Sequence, residues 1–106
     1  MKNFIILSTT LMLMISAPFL SAKEYTVGQK NKEFTEKSLT LNVGDSVKFE
    51  NQDPFFHNVF SLSELKTFDL GSFKKGKSKT VVFDKAGKVD VECAIHPNMR
   101  LSIEIK

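Results

Sequence analysis

Downstream of residue 22, four side chains in this 106-residue sequence could bind a soft or borderline metal, and three of them share one short run. The run reads Cys93-Ala94-Ile95-His96-Pro97-Asn98-Met99, and the fourth, His57, lies 36 positions before the cysteine. Cys93 is the only cysteine of the sequence, and His57 and His96 are its only histidines. Two imidazoles and a thiolate make a trigonal set of two nitrogens and one sulfur, and a thioether above that plane is a weak axial ligand. That is the donor combination of a mononuclear type 1 copper site. Zinc is the competing reading, but zinc rarely takes Met and prefers four strong ligands. Each residue alone has a plainer role: Met99 as core filler, Cys93 as a small buried apolar group, His57 as a packed ring beside Phe55 and Phe56, His96 as a loop residue. Their coincidence at one end of one domain favours the ligand reading.

The elements that must position these residues follow a period of two. Leu39, Leu41 and Val43 alternate with polar neighbours, as do Val47 and Phe49, Val81 and Phe83, Val89, Val91 and Cys93, and Leu101, Ile103 and Ile105. Shorter strands are expected at 25–27, at 57–60 and near Ser72, and a single helical turn capped by Ser63 at 63–66. Gly44-Asp45 reads as a two-residue turn joining the runs on either side into a hairpin. Gly87 stands where a positive φ would close the Asp84-Lys85-Ala86 turn. About seven short strands of this kind predict an all-β fold, a two-sheet antiparallel Greek-key β-sandwich. The 93–99 run is then a loop between two strands, and His57 stands where the Pro54 loop enters another.

The N-terminal segment has a different composition. Lys2 precedes an uncharged apolar run, and Ser16-Ala17-Pro18-Phe19-Leu20-Ser21-Ala22 ends on small residues. This predicts a secretory signal over residues 1–22, cleaved after Ala22 and too short in its apolar part for a comfortable membrane span, with an uncleaved N-terminal anchor as the alternative. Residues 23–106 then form a single domain of 84 residues with a net charge of +2, since Lys2 carries the only charge removed. So mixed a charge gives no basic stripe for nucleic acid. Neither does it argue for stable membrane association. A lone thiol in an oxidising compartment needs a reason, and ligation supplies one.

The loop Cys93-x-x-His96-x-x-Met99, with Pro97 after the histidine, resembles the cupredoxin family. It looks most like the plastocyanin and amicyanin group and its methylamine-utilisation relatives. Val43-Gly44-Asp45-Ser46-Val47-Lys48-Phe49 followed by His57-Asn58-Val59 also resembles the family, and the likeness spans roughly 38 to 105. The resemblance implies His57, Cys93 and His96 as the trigonal ligands of one copper ion and Met99 as the axial one. It implies that Asn58 ties the His57 segment to the cysteine loop, through backbone groups because Ala94 replaces the hydroxyl residue often found there. His96 would be the solvent-side electron port, ringed by Ile95 and Pro97, and His57 the buried ligand, held between Phe56 and Val59. The function implied is a monomeric, periplasmic or otherwise exported one-electron carrier with a transient protein redox partner. Lys74, Lys75, Lys77 and Lys79 are either a solvated edge or a steering patch for an acidic partner. Copper tolerance or delivery is the alternative. An oxidase or reductase would need further metal ligands, and both histidines are already used.

Overall fold

The computed structural model describes residues 21–106; the leader expected over residues 1–22 therefore lies, but for its last two positions, outside the described residues. Among the described residues there are nine strands: β1 (Glu24–Lys30), β2 (Glu33–Phe34), β3 (Ser38–Leu41), β4 (Ser46–Asn51), β5 (His57–Ser61), β6 (Phe68–Phe73), β7 (Ser78–Val82), β8 (Gly87–Glu92) and β9 (Arg100–Ile105). The alternation that predicted them is visible in their burial. β4 buries Val47 and Phe49, β8 buries Val89 and Val91, and β9 buries Leu101, Ile103 and Ile105, each with polar residues between. One sheet runs β2-β1-β4-β7 and the other β3-β9-β8-β5-β6. Their inner faces meet in one core, where a fully buried Val, Leu, Ile or Phe contributes about 1.5–3 kcal/mol of transfer free energy.

The sandwich expected from the sequence is present, with nine strands rather than seven and with two parallel pairs among its antiparallel ones. β1 runs parallel to β4 from Glu24↔Ser46 to Gln29↔Asn51, and β3 runs parallel to β9 from Ser38↔Ser102 to Leu41↔Ile105. The expected hairpin at Gly44-Asp45 is instead a crossing between sheets: β3 belongs to one and β4 to the other. Both flanking runs face the core, but from opposite walls, which a period of two cannot distinguish from a hairpin. Val43, expected on the inner face, is exposed in that crossing. The 63–66 segment is a turn closed by Lys66 N–H on Ser63 O, and the Ser63 hydroxyl accepts from Asp90 N–H instead of capping a helix. Gly87 does have a positive φ, 141°, and a Cβ there would fall 2.7 Å from Leu65.

The crossing between β3 and β4 is held by a buried carboxylate. Asp45 accepts from the backbone N–H groups of Lys23 and Asn42, each at 2.9 Å, and its own carbonyl takes Phe83 N–H at 2.9 Å. The Lys23 and Asn42 N–H groups hold its carboxyl below the ordinary value of 3.8, against the opposing effect of burial. A carboxyl lowered by folding stabilises the fold above its ordinary value and ceases to do so as the pH falls through the lowered one. Asp45→Asn is therefore expected to melt at lower temperature than the native protein at neutral pH, with the gap narrowing in acid. Thermal melts across that range check it; a gap independent of pH would contradict the assignment.

Candidate metal centre

The loop at 93–99 joins β8 to β9, an antiparallel pair in register from Gly87↔Ile105 to Glu92↔Arg100. Cys93 follows the last residue of β8 and continues the inward face of Val89 and Val91; it is 2% exposed. Met99 precedes β9 and is fully buried, and its N–H donates to His96 O at 2.8 Å, closing the loop into a turn. His57 opens β5 after the 52–56 segment crosses from one sheet to the other, and it too is fully buried. His96 is half-buried.

The structure brings His57, Cys93 and His96 together. The ligand atoms of His57, Cys93 and His96 lie within 4.8 Å of one another. Cys93 Sγ is 3.7 Å from His57 Nδ1 and 3.9 Å from His96 Nδ1. A trigonal ion with bonds of about 2.3 Å to sulfur and 2.0–2.1 Å to nitrogen would set each S···N separation near ~3.8 Å. The donors thus already stand about where such an ion requires them. With fully buried Met99 at the end of the same loop, the cluster is that of a single type 1 copper site.

Asn58 ties the two ligand-bearing segments together as expected. Its Oδ1 accepts Ala94 N–H at 2.8 Å and lies 3.4 Å from Cys93 Sγ. The packing around His57 differs from expectation. Phe56 is exposed, and the ring against His57 is Phe55, at 5.2 Å between centroids and 70° between planes. Phe55 also covers His96 at 5.5 Å, and the two imidazoles meet at 4.9 Å. Burial, followed by the neighbouring His57 and Lys32, pushes the His96 ring below its ordinary value. That favours the neutral imidazole a metal needs.

Two further residues of the site were not singled out by sequence. Asp53, four positions before His57, places Oδ2 at 2.7 Å from His57 Nε2 in a buried contact. Burial pushes its carboxyl up, but hydrogen bonds from His57 and from Lys32 and Asn31 N–H outweigh that and hold it below the ordinary range. Asn51, also buried, uses Nδ2 to bind Phe55 O at 2.8 Å and Phe73 O at 2.9 Å, and its Oδ1 takes Asp53 N–H at 2.8 Å. In sequence, Asn51-Gln52-Asp53-Pro54 carries only the signal of an ordinary polar loop. Asn51→Ala removes these partners and is expected to cost about 1–3 kcal/mol for each carbonyl left buried and unpaired. Chemical denaturation measures that loss; a cost within ~0.5 kcal/mol would mean that the loop needs no such clamp.

No family model matches the chain. The sequence is 30% identical over 88 residues to the methylamine utilization protein MauL of Methylorubrum extorquens, covering 80% of this chain and 75% of that one. A reduced Cu(I) form of an amicyanin variant superposes with a TM-score of 0.72 at 25% identity, over 77% of this chain and 81% of that one. A copper-containing nitrite reductase from Thermus scotoductus superposes at 0.74 and 25% identity, over 89% of this chain but only 25% of that one. Likeness along three quarters of MauL, carried on this sandwich and on a loop that gathers a sulfur and two imidazoles at one strand end, places the chain in the cupredoxin family as an amicyanin-like member.

Proposed function

We propose that the protein is an exported one-electron carrier in which His57 Nδ1, Cys93 Sγ and His96 Nδ1, together with Met99, would hold a single copper ion. The observation that carries this reading is the S···N spacing of 3.7 and 3.9 Å, set by strand ends in a packed core. Copper, when bound, supplies the one-electron couple. The chain supplies a thiolate suited to Cu(I), imidazoles suited to both states, and a rigid dry surround. Phe55 shields both rings from water, and Asn58 fixes the cysteine end of the loop. With four protein ligands no position stays open for a substrate, and the sequence has no further histidine for a second centre. The match to the nitrite reductase, confined to a quarter of that chain, therefore supports the fold and not its reaction.

His96 is the half-buried ligand, flanked by exposed Ile95 and Pro97, with exposed Phe55 of the crossing loop against its ring. That apolar rim suits brief contact with a protein redox partner, with His96 as the point of closest approach. Lys74, Lys75 and Lys77 lie where the chain crosses between β6 and β7, the edge strands of the two sheets, and Lys79 lies in β7 itself. Lysines there block edge-to-edge pairing and would steer an acidic partner. Monomeric action and export by the residue 1–22 leader belong to the same proposal.

The test is to add one equivalent of Cu(II) to the purified, reduced protein and record the visible spectrum through cycles of ascorbate and ferricyanide. An intense thiolate-to-copper band that bleaches and returns is expected, and Cys93→Ser should abolish it. Met99→Gln should keep copper and lower the potential, because an amide oxygen is a harder donor than a thioether and favours Cu(II). Copper lost on the first reduction would point instead to copper handling, and colour retained in Cys93→Ser would remove the thiolate from the set.

A further inference from the structure

We propose that Asp53 is a positioning residue for the metal centre: its buried carboxylate fixes His57 in the tautomer that offers Nδ1 to copper and lowers the reduction potential by placing a negative charge behind that ring. The inference rests on the reading of His57 as a ligand.

Three donors converge on this carboxylate. Asn31 N–H reaches Oδ1 at 2.7 Å, Lys32 N–H reaches Oδ2 at 3.0 Å, and His57 Nε2 stands 2.7 Å from Oδ2. Asn31 and Lys32 are the two residues of the turn between β1 and β2, and both adopt left-handed backbone, with φ of 57° and 62°. That conformation is unusual for residues other than glycine, least so for asparagine. It aims two successive N–H groups at one point, which a carboxylate then occupies. The Asp53 N–H is itself held by Asn51 Oδ1. The carboxylate is thus fixed from the side of the turn and the loop, independently of His57.

An ionised carboxylate can only accept, so His57 must donate from Nε2. A neutral imidazole has one N–H, and its lone pair is then on Nδ1, the atom 3.7 Å from Cys93 Sγ. Outer partners of this kind orient the ring and raise its basicity as a ligand. The negative charge also favours Cu(II) over Cu(I) in a buried setting where screening is weak. Asparagine has the same shape but one acceptor atom in place of two. Its amide NH2 would face either Asn31 N–H, or Lys32 N–H and His57 Nε2–H together; in the second arrangement the ring escapes the clash by moving its proton to Nδ1, where it competes with copper.

The experiment has two parts. In the metal-free native protein, nitrogen-edited NMR of the His57 ring should show the Nε2–H tautomer, and Asp53→Asn should shift it toward Nδ1–H. In voltammetry of the copper-loaded proteins, Asp53→Asn should raise the potential. Its Cu(II) affinity should fall roughly 10–100-fold, with a smaller loss for Cu(I); each tenfold difference between the two corresponds to about 59 mV. A native ring found as Nδ1–H overturns the proposal even if the variant does not fold. An Asp53→Asn protein with lower thermal stability but unchanged tautomer and potential also overturns it, leaving Asp53 as a turn clamp only. Absence of a thiolate-to-copper band in the native protein would remove the copper reading, while the tautomer measurement still decides the role of Asp53.

Discussion

The hydrogen bond from Ala94 N–H to Asn58 Oδ1 joins the two pieces of chain that carry the candidate ligands. Regular pairing between β5 and β8 is limited to Phe60↔Glu92, so toward the metal end no ladder sets the distance between His57 and Cys93. The Asn58 side chain substitutes for the missing rungs. It follows His57 in β5 and binds the residue after Cys93, so it ties a neighbour of one ligand to a neighbour of the other. The spacing that suits a trigonal ion therefore depends on a side-chain contact between segments 36 residues apart.

The two walls of the sandwich divide the work unequally. Cys93, Met99 and His57 all stand on strands of, or loops next to, the five-stranded sheet. The other sheet contributes no ligand, but it supplies the crossing loop and the β1–β2 turn that back His57 through Asp53. The four-stranded sheet thus acts on the candidate centre from behind its buried imidazole, and the five-stranded sheet acts by holding the candidate sulfur donors.

What was legible in the sequence was legible for local reasons. The alternation of Val89, Val91 and Cys93 and of Leu101, Ile103 and Ile105 gave the two strands of the loop and the inward direction of the thiol. The donor types in that loop gave the metal class. Three features were hidden because they depend on partners far along the chain. Gly44-Asp45 has the chemistry of a hairpin turn, yet the flanking strands pair elsewhere, β3 with β9 and β4 with β1 and β7. Phe55 and Phe56 are indistinguishable by type, and only the path of the crossing loop decides that Phe55 covers the imidazoles. Asp53 looks like any loop aspartate until the β1–β2 turn is brought against it.

The parallel pairing of β3 with β9 also orders events in time. β9 is flanked in its sheet by β8 and by β3, and its contacts to β3 span 64 positions, from Ser38 to Ser102. Closing so long a separation is slow compared with forming local turns, which places all-β folds of this kind among the slower folders. The β8–β9 pair that carries the 93–99 loop is local, whereas the sandwich that buries Cys93 closes only with such distant pairings. Until they close, a thiol is open to oxidants and to any passing metal, so the protection of Cys93 belongs to the long-range step of folding rather than to the hairpin that carries it.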